Sequence, residues 1–290
     1  MAQKILYLVS EDWYFVSHRL PMARAARAAE YEVHVATRVG DCGAQIEAEG
    51  FRLHPIKWRR GSMSLFHFLS AVVEMRRLYR RLRPDLVHHV ATVSAVIGSL
   101  AALALPMQKL NAFAGLGFAY SSKAMKAPAL RALAFAFLGW LLRRPQSTVL
   151  VQNPDDGATI AKLGVARDRI AIIPGSGVDV DVFTPLPEPA NAFTIGFAAR
   201  LLDIKGVQTL VRAHEILAAR GVAARLLLAG EPDATNPSSI PEDVIAGWRE
   251  RPNLVSLGHV GDVRTVWAQS HVAILPSRGG EGIPLTLLEA

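Results

Sequence analysis

The sequence predicts an α/β protein built as two parallel-sheet units. Three observations carry this. Short apolar runs alternate with helical runs through the first part of the chain. Three prolines between Thr184 and Pro189 interrupt the alternation, which restarts at Thr194. Alternation of this kind calls for parallel strands joined by helical crossovers. A length of 290 residues leaves room for two domains of ordinary size. The first unit is placed at 1–183, the linker at 184–192 and the second unit at 193–290.

Lys4–Ser10 reads as a buried parallel strand, followed by a turn over Glu11–His18. Leu20–Glu30 is an Ala/Arg-rich helix opened by Pro21, whose missing N–H is harmless in a first turn. Glu32–Thr37 is a strand, Gly43–Gly50 a short helix and Arg52–Lys57 a third strand. Leu65, Leu69, Val72, Leu78 and Leu82 fall near helical spacing over Ser64–Arg83, and Pro84 stops that helix. The strand Leu86–Val90, the small-residue helix Ser94–Leu105 and the strand Met107–Ala112 follow. A glycine turn over Ala114–Gly117 leads to the apolar helix Ala127–Arg144 and the strand Thr148–Gln152. Asn153-Pro154-Asp155-Asp156 caps another helix, and Ile170–Ile173 is the last strand before the linker. In the second unit, strands at Thr194–Ala198, Ala224–Gly230, Leu254–Leu257 and Val272–Leu275 alternate with helices at Gly206–Arg220, Pro241–Arg251 and Val263–Ser270.

Composition narrows the function. One cysteine, Cys42, excludes a disulfide framework and fits a reducing compartment. Lys4 and the short apolar run after it do not make a signal peptide. The apolar stretch Leu86–Gln108 is broken by His88, His89, Gly98 and Pro106, and Ala132–Leu142 is too short to span a bilayer, so no transmembrane helix is expected. The net charge of +7 is uneven: residues 1–144 hold 20 Lys and Arg against 9 Asp and Glu, while residues 145–290 hold 12 against 16. A basic first half points to an anionic partner. Basic residues interleaved with aromatics are absent, so nucleic acid is not the expected one.

Chemistry concentrates at two loops of the second unit. Ser277-Arg278-Gly279-Gly280-Glu281-Gly282 joins the strand Val272–Leu275 to a helix that reaches Glu289. A helix start offers unpaired N–H groups and a positive dipole end, hence an anion site near Gly282. Glu281 and Glu289 stand just over two helical turns apart, along one edge. One could face a bound sugar and the other accept from ribose hydroxyls. Arg200 and Lys205 follow the strand Thr194–Ala198, at the carboxyl end where α/β sheets bind ligands. An arginine fork and a lysine point charge both suit phosphate oxygens. Either loop alone reads as solvated charge; together they describe a nucleoside-diphosphate site.

This pairing, Arg200…Lys205 with Glu281…Glu289, resembles the donor site of the retaining glycosyltransferases of family 4. Ser17-His18-Arg19-Leu20-Pro21, Pro84-Asp85-Leu86-Val87-His88, Gly115-Leu116-Gly117, Gln152-Asn153-Pro154-Asp155-Asp156, Gly175-Ser176-Gly177-Val178-Asp179 and Asn236-Pro237-Ser238-Ser239-Ile240-Pro241 resemble one branch of it. That branch extends lipid-linked saccharides for surface polysaccharides and glycans. The resemblance implies the GT-B fold of two facing Rossmann-like domains. It implies transfer from a nucleotide sugar, UDP-linked, to a lipid-diphosphate saccharide with retention, on the cytoplasmic face of an anionic membrane. Arg200, Lys205 and Gly282 would hold the donor diphosphate, with Lys205 also neutralising the leaving group. Glu289 would bind ribose, and Glu281 would lie beside the transferred sugar. His88 would be catalytic, with adjacent His89 an alternative, and His18 and Arg19 would meet the acceptor. No cofactor or metal is implied, so Asp179-Val180-Asp181 reads as a structural turn despite its likeness to a metal-binding D-x-D.

Rival readings are a sugar-nucleotide epimerase on the same fold, a dinucleotide oxidoreductase and a non-catalytic fragment. The oxidoreductase needs G-x-G-x-x-G after its first strand, where this chain has Ser10-Glu11-Asp12-Trp13-Tyr14. Family members continue for a further strand–helix set and a helix returning to the first domain. The resemblance therefore implies a second unit short of its last elements, with a frayed end and little transfer activity.

Overall fold

The computed structural model describes residues 2–58, 64–115, 128–190, 192–233, 236, 238–279 and 282–290. The fold is mixed α/β with parallel sheets, divided into two compact units, Met1–Ser176 and Gly177–Ala290.

The first unit runs β1 (Lys4–Glu11), α1 (Asp12–Ala28), β2 (Glu32–Arg38), α2 (Gly43–Ala48), β3 (Arg52–Pro55), α3 (Leu65–Leu82) and β4 (Leu86–Val90). It continues with α4 (Thr92–Ala101), β5 (Gln108–Phe113), α5 (Pro128–Leu142), β6 (Ser147–Val151), α6 (Pro154–Lys162) and β7 (Ile170–Ile172). Among the described residues these strands form one parallel sheet in the order β3-β2-β1-β4-β5-β6-β7. Strand order reverses between β1 and β4, which pair Tyr7 with His88. Period-two alternation sorts β1 onto two cores. Leu6 and Leu8 pack with Met75 and Tyr79 of α3 and Ile97 of α4. Tyr7 and Val9 pack with Phe15 and Leu20 of α1 and Ile46 of α2.

Helix α1 corrects the expected turn over Glu11–His18. It begins at Asp12, directly after the strand, and places Pro21 inside the helix. The reason lies in Asp12, whose buried carboxylate accepts from Trp13 N at 2.8 Å, Gly40 N at 2.6 Å and Cys42 N at 3.0 Å. One side chain therefore covers the helix start and the turn after β2. Helix α6 begins as the sequence indicates: Asn153 Oδ1 accepts from Asp156 N at 2.8 Å, with Pro154 in the first turn.

Two helices keep apolar residues in solvent. On α3, Ala71, Met75 and Leu78 are buried while Leu65, Phe66, Leu69 and Val73 are exposed, Phe66 at 77%. Arg77, Arg80 and Arg81 of the same helix are also exposed. Arg76 is not part of that surface, because its Nη1 donates to Ala101 O at 3.0 Å and Leu103 O at 2.8 Å at the end of α4. On α5, Leu133, Phe137 and Trp140 are exposed, and the Arg144 guanidinium lies 4.0 Å from the Trp140 ring. No helix of the described residues is long and apolar enough to cross a membrane.

The second unit carries β8 (Thr194–Ala198), a 3-10 turn (Asp203–Lys205), α7 (Val207–Ala219), β9 (Arg225–Ala229), α8 (Glu242–Arg249), β10 (Leu254–Gly258), α9 (Arg264–Trp267), β11 (Val272–Ala273) and α10 (Leu285–Glu289). The parallel sheet order among the described residues is β10-β9-β8-β11, so strand order reverses between β8 and β11. Its core joins Phe197, Leu226 and Leu228 to Val207, Leu210 and Val211 of α7 and to Trp248 of α8.

Candidate functional site

The reversal between β8 and β11 is the switch point of the second sheet, the place where open α/β sheets hold ligands. Both loops singled out in the sequence open there. Ala198 ends β8 and Arg200 follows, half-buried; Lys205 closes the 3-10 turn, also half-buried. Gly206 then starts α7 with φ of +72°, a conformation that L residues rarely adopt. A Cβ on Gly206 would lie 1.9 Å from Pro276 O.

That approach belongs to a seam between the loops. Arg278 N donates to Ile204 O at 2.9 Å and Ser277 Oγ to the same oxygen at 3.1 Å. Arg278 Nη2 reaches Thr209 Oγ1 at 3.1 Å, and its Nη1 reaches Asp203 at 3.4 Å. The loop after β8 and the loop after β11 are thus one bonded structure. Glu289, at the end of α10, is half-buried, and burial raises its carboxyl above the ordinary value. Gly282, in the loop between β11 and α10, is half-buried. Glu281 lies outside the described residues.

In the first unit the predicted residues part company. Arg19 and His18 sit in α1, not in a loop. His18 stacks on Tyr14, ring centroids 4.2 Å apart, with Nδ1 2.6 Å from Ser17 Oγ. Arg19 is only 3% exposed; its Nη1 donates to His18 O at 3.2 Å and Ser176 Oγ at 3.4 Å, and its Nε has no hydrogen-bond partner among the described residues. Burial draws the Arg19 guanidinium down from its ordinary pKa, Tyr14 and Tyr7 opposing.

The two adjacent histidines are both fully buried, with different surroundings. His89 Nε2 lies 3.0 Å from Tyr79 Oη and Nδ1 2.8 Å from Asn111 Oδ1. Asn111 Oδ1 also accepts from Ser99 Oγ at 3.1 Å, and Asn111 Nδ2 donates to Ser147 Oγ at 3.0 Å. With a carbonyl on Nδ1 and a hydroxyl on Nε2, the ring is neutral and protonated on Nδ1. Desolvation holds its pKa at about 4, the Asn111 bond acting the other way. His88 has neither nitrogen bonded among the described residues and packs against Tyr7, centroids 5.0 Å apart. Burial lowers its pKa well below the ordinary value, and Arg19 adds to that. His89 is therefore a core group, and His88 lies at the first sheet's own switch point, with no exposed atom.

Sequence reasoning missed Asp233. Arg200 Nη1 donates to Asp233 Oδ2 at 2.6 Å. An aspartate in a Pro/Asn/Ser-rich loop has no sequence signal that ties it to an arginine 33 positions earlier. Asp179-Val180-Asp181 holds its own turn: Asp179 Oδ1 accepts from Asp181 N at 3.0 Å, and Asp179 O accepts from Phe183 N at 2.8 Å. Among the described residues, no three His, Cys, Asp or Glu side chains cluster as a metal site would require.

Two family models match the chain, described as "Glycosyl transferase 4-like" over residues 4–153 and "Glycosyl transferases group 1" over residues 192–290. The chain belongs to the family 4 glycosyltransferases. This sets the epimerase reading aside, because both units of the glycosyltransferase match such models. The glycosyltransferase is 21% identical to the capsular polysaccharide biosynthesis glycosyltransferase CapM of Staphylococcus aureus, covering 99% of this chain and 76% of that protein. It is 23% identical to the UDP-Gal:alpha-D-GlcNAc-diphosphoundecaprenol alpha-1,3-galactosyltransferase of Escherichia coli, over 79% of this chain and 61% of that protein. Its fold matches sucrose-phosphate synthase of Thermosynechococcus elongatus with a TM-score of 0.78 at 18% identity, covering 99% of this chain and 78% of that one. The fold is accordingly GT-B, as the sequence implied.

Proposed function

We propose that this glycosyltransferase moves a sugar, with retention, from a UDP-sugar to a lipid-diphosphate-linked saccharide at an anionic cytoplasmic membrane face, without a metal. The observation that carries the donor half is the seam at the β8/β11 switch point, which brings the Arg200–Lys205 loop against the loop leading to Glu289. In the reaction the bond from the anomeric carbon to the diphosphate oxygen breaks. A bond from that carbon to the acceptor oxygen forms on the same face, and the acceptor hydroxyl passes its proton to the departing diphosphate oxygen. The departing diphosphate gains charge, and Arg200 and Lys205 are the cations placed to stabilise it. Glu289, whose raised pKa reflects a desolvated carboxylate, accepts from the ribose hydroxyls. Glu281 lies beside the transferred sugar in this reading, and Gly282 offers its backbone N–H to the diphosphate.

The acceptor half rests on different support. A relative named for transfer to GlcNAc-diphosphoundecaprenol, and a capsular one, suggest a lipid-linked acceptor. The basic first half and the exposed apolar and basic face of α3 suit an anionic lipid surface. Arg19 contributes charge to the acceptor side from within the fold, and His18 lies on the half-buried flank of α1. His88 serves as a neutral group that orients the reacting sugar once it is reached. The decisive experiment incubates the purified chain with a panel of UDP-sugars and an undecaprenyl-diphosphate-linked saccharide. Slow UDP release, in keeping with the low activity expected of this chain, with an α-configured product from an α-configured donor is the expected result. Inversion, or release only from GDP- or ADP-sugars, refutes the assignment.

A further inference from the structure

We infer that Asp233 is a positioning residue for the donor diphosphate, holding the Arg200 guanidinium in its working place. The inference rests on the reading of the Arg200–Lys205 loop as the diphosphate site. The ion pair joins Arg200 Nη1 to Asp233 Oδ2 at 2.6 Å, and both side chains are partly shielded from water. An arginine fork bonded at one edge keeps a defined orientation for the donors of the other.

The segment carrying Asp233 is fixed to the backbone that carries Arg200. It starts at Gly230, with φ of +139°, where a Cβ would lie 1.9 Å from Ala199 O. Leu201 N donates to Glu231 O at 2.9 Å, Asp203 N to Ser238 O at 2.7 Å and Ile240 N to Leu201 O at 2.9 Å. Leu202 and Ser239 form an antiparallel bridge. Asp233 N donates to Ser239 Oγ at 2.9 Å, which fixes the backbone from which the carboxylate projects. The described residues between β9 and α8 are thus bonded to the loop that carries Arg200 at several points. A long side chain ordered only on ligand arrival adds its lost rotamer freedom to the cost of binding. Asp233 orders Arg200 beforehand, and preorganised charge is the kind that stabilises a departing anion.

A carboxylate near a diphosphate also repels it, so positioning and competition predict opposite signs. Calorimetric titration of UDP into the 290-residue chain separates them. Positioning predicts that Asp233→Ala weakens UDP binding about tenfold, the scale of one charge-assisted hydrogen bond. Asp233→Asn keeps an oxygen acceptor and should stay within about threefold of wild type. In an Arg200→Ala background, Asp233→Ala should change binding less than about twofold, since its partner is already gone. Equal loss in both backgrounds, as a merely structural role predicts, overturns the inference. So does unchanged or tighter binding in Asp233→Ala. If Asp233→Ala fails to fold, Asp233→Asn and Asp233→Ser in both backgrounds give the same comparison. A folded wild-type chain that binds no UDP overturns the reading of the site, and this inference with it; binding by wild type with no effect of Asp233 overturns the inference alone.

Discussion

Lys205 and Arg200 lie at the switch point, on a loop bonded to the loop before α10. An interaction that strengthens as the leaving diphosphate gains charge acts on turnover more than on substrate binding. Lys205→Ala should cost on the order of 3 kcal/mol in activation energy, roughly a hundredfold in kcat. Arg200→Ala should behave similarly, and the double variant should lose less than the product of the two. Glu289→Ala should raise KM for the donor instead, because ribose does not change in the reaction. Arg212, paired with Glu215 on the surface of α7, is the control and should stay near wild type. Steady-state transfer fitted for both constants checks all five variants; normal turnover in Lys205→Ala and Arg200→Ala would remove the site from this loop.

A second residue-scale consequence concerns pH. Desolvation holds His89 at about 4, below the ordinary histidine value of about 6.5. The unfolded chain therefore binds the extra proton first as pH falls. His89 contributes stability that is complete above about pH 6.5 and is lost progressively down to about pH 4. Urea midpoints should fall through that window, and the His89 ring protons should titrate near its lower end. A His89 titration near 6.5 would contradict the buried, neutral ring. The sequence could not choose between His88 and His89, because neighbours on a strand point to opposite faces and both faces here are covered. Only the third-dimensional partners Tyr79 and Asn111 assign His89 to the core.

At the scale of elements, the strand–helix alternation was fully legible, since buried parallel strands read as apolar runs. The start of α1 was not. Periodicity in Leu20–Glu30 is plain, but the residues before it mix aromatic and polar types, and the feature that begins the helix is Asp12 bonding to Gly40 and Cys42 across the sheet. That long-range bond moved His18 and Arg19 from a loop onto a helix, one of them into the core. Legibility was better in the second unit, where the two loops matched a family pattern, although the seam between them was invisible. Gly206 tests that seam. Its left-handed φ costs an alanine about 1 kcal/mol, and the 1.9 Å approach to Pro276 O adds a clash that backbone must relieve. Gly206→Ala should lower the urea midpoint and abolish UDP binding. Gly247, on α8 with open space around it, is the matched control, and Gly247→Ala should leave both unchanged or improve the midpoint. Intact UDP binding in Gly206→Ala would mean that the loops work independently.

For the whole molecule, charge and exposed apolar surface fall together in the first unit. Residues 1–144 hold most of the positive charge, and α3 carries Leu65, Phe66, Leu69 and Val73 in solvent ahead of Arg77, Arg80 and Arg81. Sequence alone points to the apolar helix Ala127–Arg144 as the lipid-facing one, with Phe135, Phe137 and Trp140 at the interface and the basic cluster of Arg59, Arg60, Arg76, Arg77, Arg80, Arg81 and Arg83 nearby. Arg59 and Arg60 lie outside the described residues, Phe135 is half-buried, and Arg76 is bonded to the end of α4. The α3 face is the stronger candidate because its apolar residues repeat every four positions and its basic residues continue the same helix. Each basic residue near an anionic surface adds about 1 kcal/mol, an attraction that fades with salt. Apolar insertion does not fade, so the two contributions separate experimentally. Sedimentation with vesicles containing a third phosphatidylglycerol should show binding at low salt that weakens severalfold at physiological salt. Phe66→Ser with Leu69→Ser should reduce binding at both salts, while Arg77→Ala with Arg80→Ala should reduce it mainly at low salt. Phe137→Ser on α5 should have a smaller effect than Phe66→Ser. Binding to neutral vesicles as strong as to anionic ones would refute the charge argument, and loss with Phe137→Ser alone would return the lipid contact to α5.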